Sequence, residues 1–184
     1  MRLRPKVAAA LLAFVFGGPA GAAVTVIGGG MAQDCSRAAF AGKSDRASIL
    51  TCALALGGED LDTTDRAGTL INRAVMELRG LAFEAARADL DASIALTPTI
   101  GEAWVNLGAV AVGEKHYSTA VDDLTRALSL GVKEPEKAYF NRALAYEGLD
   151  DEKSAYFDYR RAVALKPDWP LPQHELLRFT VSRR

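Results

Sequence analysis

The chain has 184 residues, 49% of them hydrophobic, and a formal net charge of −1, enough length for one domain with a core of its own. The first 32 residues carry three basic groups (Arg2, Arg4, Lys6) and no acids, leaving 19 basic against 23 acidic residues in the remainder. That balance argues against a nucleic-acid binder, whose phosphate contacts need clustered Lys and Arg.

Residues 1–32 read as an export signal: a basic start "MRLRPK", an apolar run "VAAALLAFVF", then small residues. Cleavage is expected after Ala32, where Gly30 and Ala32 supply the small side chains that a signal peptidase accepts, because "VTVIGG" is still apolar and "QDCSRAAF" is the first polar stretch. Cleavage after Ala22 is the alternative. Retention as an anchor is a third reading, since residues 7–27 come near the ~20 apolar residues of a bilayer crossing, although Gly17, Gly18, Pro19 and Gly21 weaken them as a helix. Asp34 stands directly before Cys35, where a lipoprotein signal needs a small residue, so lipidation is not expected. The protein is expected to be exported to a bacterial periplasm, with membrane contact only if the leader is uncleaved.

Cys35 and Cys52 are the only cysteines, and an even count in an exported chain points to a bridge. Closing 17 residues would add ~3 kcal/mol in the chain-entropy model; two free, buried thiols are the alternative. "RASILTCALAL" has the spacing of a helix, so residues 34–57 read as a helical hairpin whose arms the bridge would join. "GGEDLDTTDR" is a polar linker offering Thr63, Thr64 or Asp65 as an N-cap.

From there the chain repeats itself. "YFNRALAYEGLDDEKSAYFDYRRAVALKP" (139–167) falls in step with "WVNLGAVAVGEKHYSTAVDDLTRALSLGV" 35 residues earlier and with "LINRAVMELRGLAFEAARADLDASIALTP" a further 34 back. Asn72, Asn106 and Asn141 align, as do Ala74, Gly108 and Ala143, then Ala86, Ala120 and Ala155, then Asp89, Asp123 and Asp158. Small residues at 74, 108 and 143 let neighbouring helices approach closely, where a larger side chain would overpack the contact by ~1–3 kcal/mol. Ala155, Tyr159, Ala162 and Leu165 fall on one helical stripe, and Pro167 ends it. The spacing predicts six helices at 67–80, 83–96, 101–113, 117–130, 136–148 and 152–165, in three units of 67–100, 101–135 and 136–169. Residues 170–184 make a capping helix and tail, with Leu171, Leu176, Leu177 and Phe179 covering the last pair while Glu175 and Arg178 face water.

These aligned positions resemble the tetratricopeptide repeat: a small residue in the first helix, Ala opening the second, a bulky residue four later, a small one three later and a closing Pro. Trp104 and Leu107 match the family's Trp and Leu in the middle unit; Leu70 with Arg73, and Tyr139 with Arg142, depart from them. The resemblance implies an all-α superhelix of stacked hairpins that binds a protein or peptide partner. It further implies that the first helix of each unit lines a concave groove, in which the recurrent Asn bonds an extended peptide's main chain. Carried over, this nominates Asn72, Asn106 and Asn141, flanked by Ile71, Val105 and Phe140 and, three residues on, by Val75, Ala109 and Leu144. The same Asn residues could instead bond a neighbouring helix or loop, since buried amides need partners. The Lys and Arg of a carboxylate-clamping groove are missing before each Asn, and Arg73 and Arg142 leave only a weak anionic option.

No catalytic constellation can be assembled. His116 sits at an inter-helix turn and His174 in the cap, with no nucleophile, base or metal-ligand spacing around them. Asp122, Asp123 and Asp150 to Glu152 lie near second-helix starts, where the helix dipole favours negative charge. "GGG" at 28–30 lacks the Lys-Ser/Thr ending of a phosphate loop. The expectation is a non-enzyme without cofactor or metal, monomeric, acting by protein or peptide binding.

Overall fold

The computed structural model describes residues 2–5, 21–27 and 29–182. The apolar run of the proposed leader, residues 7–16, lies outside them. Nine helices occur among the described residues: α1 (Gly30–Phe40), α2 (Arg46–Gly58), α3 (Thr63–Arg79), α4 (Phe83–Leu96), α5 (Gly101–Gly113), α6 (Tyr117–Leu130), α7 (Pro135–Gly148), α8 (Glu152–Leu165) and α9 (Pro170–Leu176). Consecutive helices pack as antiparallel hairpins, and each hairpin packs on the next. The result is an all-α superhelix of repeats. One short ladder adds to it: β1 (Arg2–Pro5) runs antiparallel to β2 (Phe179–Ser182), pairing Arg2 with Ser182 and Pro5 with Phe179. The tail expected after the cap is therefore a strand, in keeping with the β-preferring Phe179, Thr180 and Val181.

The six repeat helices fall where the period puts them, apart from α3, which starts at Thr63. Asp62 caps it, its carboxylate accepting from the Asp65 N–H at 2.8 Å, in place of the three candidates read from the linker. Close approach is set by the small positions. A Cβ on Gly108 would stand 2.5 Å from Leu124 Cγ, and one on Gly113 would stand 2.5 Å from the Phe83 ring. Gly148, one unit on from Gly113, takes the Tyr117 ring in the same way, so the aromatic that opens α4 or α6 seats against the end of the next first helix. Leu81, Lys115 and Asp150, one per hairpin turn, hold φ near +60°, the left-handed region that side chains other than Gly enter at a cost.

Cys35 and Cys52 form a disulfide between α1 and α2, with Cα atoms 4.9 Å apart. Both are fully buried beside Ala39 and Met76, tying the hairpin where it meets α3. At α1's first turn, Met31 and Ala32 donate their N–H groups to Glu59 at 2.6 and 3.0 Å. That carboxylate serves the helix's unpaired donors. The Ala32–Gln33 bond thus lies inside α1, and Ala32 is fully buried.

The C-terminal end departs from the expected cap. Leu177 is 75% exposed, whereas Glu175 is buried. Leu171, Leu176 and Phe179 do pack on the last pair, and beside them Arg178 reaches back to Glu147, at 2.7 Å to both oxygens, and to Glu175 at 2.5 Å, so a charged triad joins the apolar face in closing that edge. Leu165 is also 40% exposed, beyond the point where the buried stripe of α8 ends.

Gly108→Ala is expected to lower stability by about 1–2 kcal/mol, because overpacking against Leu124 exceeds the roughly 1 kcal/mol helix-propensity gain. Gly57→Ala, in the exposed last turn of α2 with nothing within 4 Å of the new Cβ, is expected to raise stability by up to about 1 kcal/mol. Thermal or urea unfolding of the two variants gives shifts of opposite sign.

Candidate functional site

The first helices α3, α5 and α7 present one wall, and an extended stretch of the same chain lies along it. Residues 21–27 have no helix. Asn106 accepts the Ala22 N–H on Oδ1 at 2.7 Å and donates Nδ2 to the Ala22 carbonyl at 2.8 Å. One unit earlier, Asn72 accepts the Val24 N–H at 2.9 Å and donates to the Val24 carbonyl at 2.8 Å. An amide side chain offers one acceptor and two donors, so each Asn closes a two-point bridge on one residue's backbone, as a β-bridge would. Alternate residues of the segment thereby meet successive units.

Further bonds hold the two ends. Lys137 Nζ donates to the Gly21 carbonyl at 3.0 Å while pairing with Glu134 at 2.6 Å. Asp65 accepts the Ile27 N–H at 3.1 Å, and Ser36 of α1 donates to the Val24 carbonyl at 3.0 Å. From Gly21 to Ile27 the segment passes α7, α5 and α3, against the order of the repeats. Ala22, Ala23 and Val26 are buried and Val24 half-buried, while Thr25 is exposed and Ile27 is 87% exposed. Gly68, one turn before Asn72, makes the room: a Cβ there would stand 3.2 Å from Val26 Cγ2 and 3.3 Å from Val24 Cγ2.

The nominated residues divide into three groups. Asn72 and Asn106 reach the segment directly. Val75 touches it, its Cγ1 lying 3.3 Å from where Gly21 would carry a Cβ, and Val105 joins the cluster that holds Ala22. Ile71 shares a cluster with Val75, against which Val24 packs. Asn141 is fully buried on α7, and Leu144 is half-buried between two clusters. Phe140 belongs elsewhere, with its ring 5.7 Å from Tyr159 and 4.9 Å from Trp169 in the C-terminal core. Lys137, Ser36 and Gly68 were not singled out by sequence, Asp65 only as a candidate helix cap, and the segment not at all. Its signal was available in "AAVTVI", where β-branched residues at 24 and 26 favour an extended chain over the continuation of a helical leader.

Arg73 and Arg142 turn from the groove to their own hairpins. Arg73 binds Asp89 through two contacts of 2.6 Å, and Arg142 binds Asp158 at 2.7 and 3.1 Å. The weak anionic reading of these arginines is thereby corrected, since both guanidinium groups are engaged by carboxylates. The middle unit has Leu107 at the corresponding position. Asp123, aligned with Asp89 and Asp158, is buried with Oδ2 unbonded. Burial first, then nearby Asp122 and Asp91, push its carboxyl up to about 6 against the partial opposition of Arg87. It is not the solvated helix-start acid expected from sequence.

The histidine side chains are 65% exposed at His116 and 79% at His174. His116 Nδ1 lies 3.5 Å from Glu114, which also pairs with Arg87. Among the described residues no group of three His, Cys, Asp or Glu could hold a metal ion, and no helix is long and apolar enough to cross a membrane.

Residues 136–168 match the family model of the tetratricopeptide repeat. Among solved structures, the Arabidopsis OM64 TPR domain matches with a TM-score of 0.59 at 22% identity, over 64% of this chain and 96% of that one. MamA from Desulfovibrio magneticus RS-1, from residue 41 to its end, gives 0.61 at 18% identity over 80% and 82%. A further MamA crystal structure gives 0.60 at 20% identity over 77% and 80%. No curated protein sequence matches the chain. At these identities the structural likeness speaks for the fold, a superhelix of tetratricopeptide type, and the sequence match adds one tetratricopeptide repeat at residues 136–168. Proteins built of such repeats bind protein partners, and their repeat families are generally non-catalytic scaffolds.

Asp123→Asn is expected to stabilise the protein by about 1 kcal/mol at pH 7.5, a value reduced for solvent screening. The folded carboxyl titrates near 6 and the unfolded one near 3.8, so the penalty of ionising Asp123 grows as pH rises between these values and is complete above them. The gain from Asn should vanish below about pH 4, which urea unfolding across that range measures.

Proposed function

We propose that this protein is a non-catalytic scaffold of the bacterial cell envelope that holds an extended segment of a partner protein in its concave groove. The observation that carries the reading is the pair of two-point bridges from Asn72 and Asn106 to main-chain groups. Both amides are fully buried, and a buried amide needs partners. A peptide backbone supplies the matching donor and acceptor whatever its side chains, so the ladder binds by strand-like pairing while neighbouring pockets select residues. Asn141, buried on the next first helix, is assigned to the same ladder. Neutral bonds of this kind contribute roughly 1 kcal/mol each, which gives moderate affinity and requires several to act together.

An envelope location is supported by the basic-then-apolar leader and by the Cys35–Cys52 bridge, a bond at home in oxidising compartments. The test is recovery of the native protein from the envelope fraction together with its bound proteins. Processing of the leader is expected to leave it about 3 kDa lighter than the full chain. Changing Asn72, Asn106 and Asn141 together to Ala is expected to cut partner recovery at least tenfold while the far-UV spectrum stays helical. A folded variant that retrieves the same proteins in the same amounts contradicts the groove reading.

A further inference from the structure

We propose that residues 21–27 act as a built-in ligand that occupies the groove in cis, so that a partner must displace them, and that their side-chain pattern describes the peptides the groove accepts. The inference rests on the groove reading above and adds occupancy and specificity to it. The segment uses the groove's polar inventory at both ends and at its centre: Lys137 on Gly21, Asn106 on Ala22, Asn72 on Val24 and Asp65 on Ile27. A partner pairing with the same amides cannot be present at the same time.

The pattern follows from the walls. Gly21, at 3.3 Å from Val75 Cγ1 and 3.4 Å from Asn106 Oδ1 for any added Cβ, faces a tight wall. Ala22 is 2% exposed among Val105, Ala111 and Val112. Ala23 lies against the disulfide and Met76. Val24 and Val26 then sit over Gly68, with Thr25 turned outward. The ligand class is an uncharged extended peptide with three small residues followed by β-branched residues at alternate positions.

Only residues 28 and 29 separate the segment from α1. A short tether of this kind gives an effective concentration in the millimolar range or above, so a free peptide with micromolar affinity is strongly outcompeted while the segment is seated. Processing sets the occupancy. Cleavage after Ala32 would remove the whole segment, whereas cleavage after Ala22 would remove the Asn106 bridge and leave the Asn72 bridge.

The test uses the full chain and a fluorescein-labelled synthetic peptide, "AGAAVTVI", followed by anisotropy. The double variant Ala22→Pro and Val24→Pro removes both N–H donors outside every helix. It is expected to bind the peptide at least tenfold more tightly than the unaltered chain. The same peptide carrying Ala22→Leu is expected to bind the variant at least tenfold more weakly. Should the double variant melt more than a few degrees below the unaltered chain, Val24→Pro alone carries the same comparison. Equal binding by the unaltered and proline chains overturns self-occupancy, as does failure of the peptide to bind either. Asn-dependent capture of a foreign partner in the face of such a result would leave the groove reading standing and remove only this inference.

Discussion

Two buried asparagines, each bridging the N–H and C=O of one residue in an extended segment, are the constraint around which the concave side of this protein is arranged. An amide that is fully withdrawn from water has to be satisfied, and α3 and α5 hold Asn72 and Asn106 one unit apart, facing alternate residues of one strand. The strand then dictates its surroundings. Gly68 leaves room for two valines, Lys137 meets the carbonyl at one end and Asp65 the N–H at the other. On the proposed reading, a groove that pairs with backbone exchanges this segment for a partner's, which would link the fold to partner binding.

Precision in that wall comes from the packing behind it. Gly108 admits Leu124, and Gly113 and Gly148 admit the aromatic rings that begin α4 and α6, so each first helix is located by contacts on both sides. The half-buried ion pairs Arg73–Asp89 and Arg142–Asp158 tie the two helices of the outer units. The middle unit has Leu107 in place of an arginine, and its buried Asp123 is offset only in part, by Arg87. At one end the disulfide fixes the α1–α2 hairpin on α3, and at the other the Glu147, Glu175 and Arg178 triad joins the cap to α7.

The helical stack was legible because its determinants are periodic: small residues recurring every 34 or 35 positions have one explanation, and helix ends follow from the same alignment. Features outside the period were harder to read. Asp62 caps α3 because a carboxylate three residues before an N–H outcompetes the neighbouring threonines. Phe140 aligns with Ile71 and Val105 but has Trp169 beside it, and an aromatic partner draws it into the core. Asp123 and Arg178 depend on which group stands opposite in space, information that spacing along one helix does not hold. The groove segment was passed over since "AAVTVI" follows an apolar leader, and a run of apolar residues reads the same whether it is a signal's end or a strand between helices.

Hydrogen exchange of the Ala22 and Val24 amides, followed residue by residue in the intact chain, tests the central claim most directly. Seated on Asn106 and Asn72, both amides should exchange far more slowly than in an unstructured peptide, and Asn72→Ala should release Val24. Exchange of both at the unstructured rate in the unaltered protein would mean that the asparagines do not hold this segment, and the account would fail.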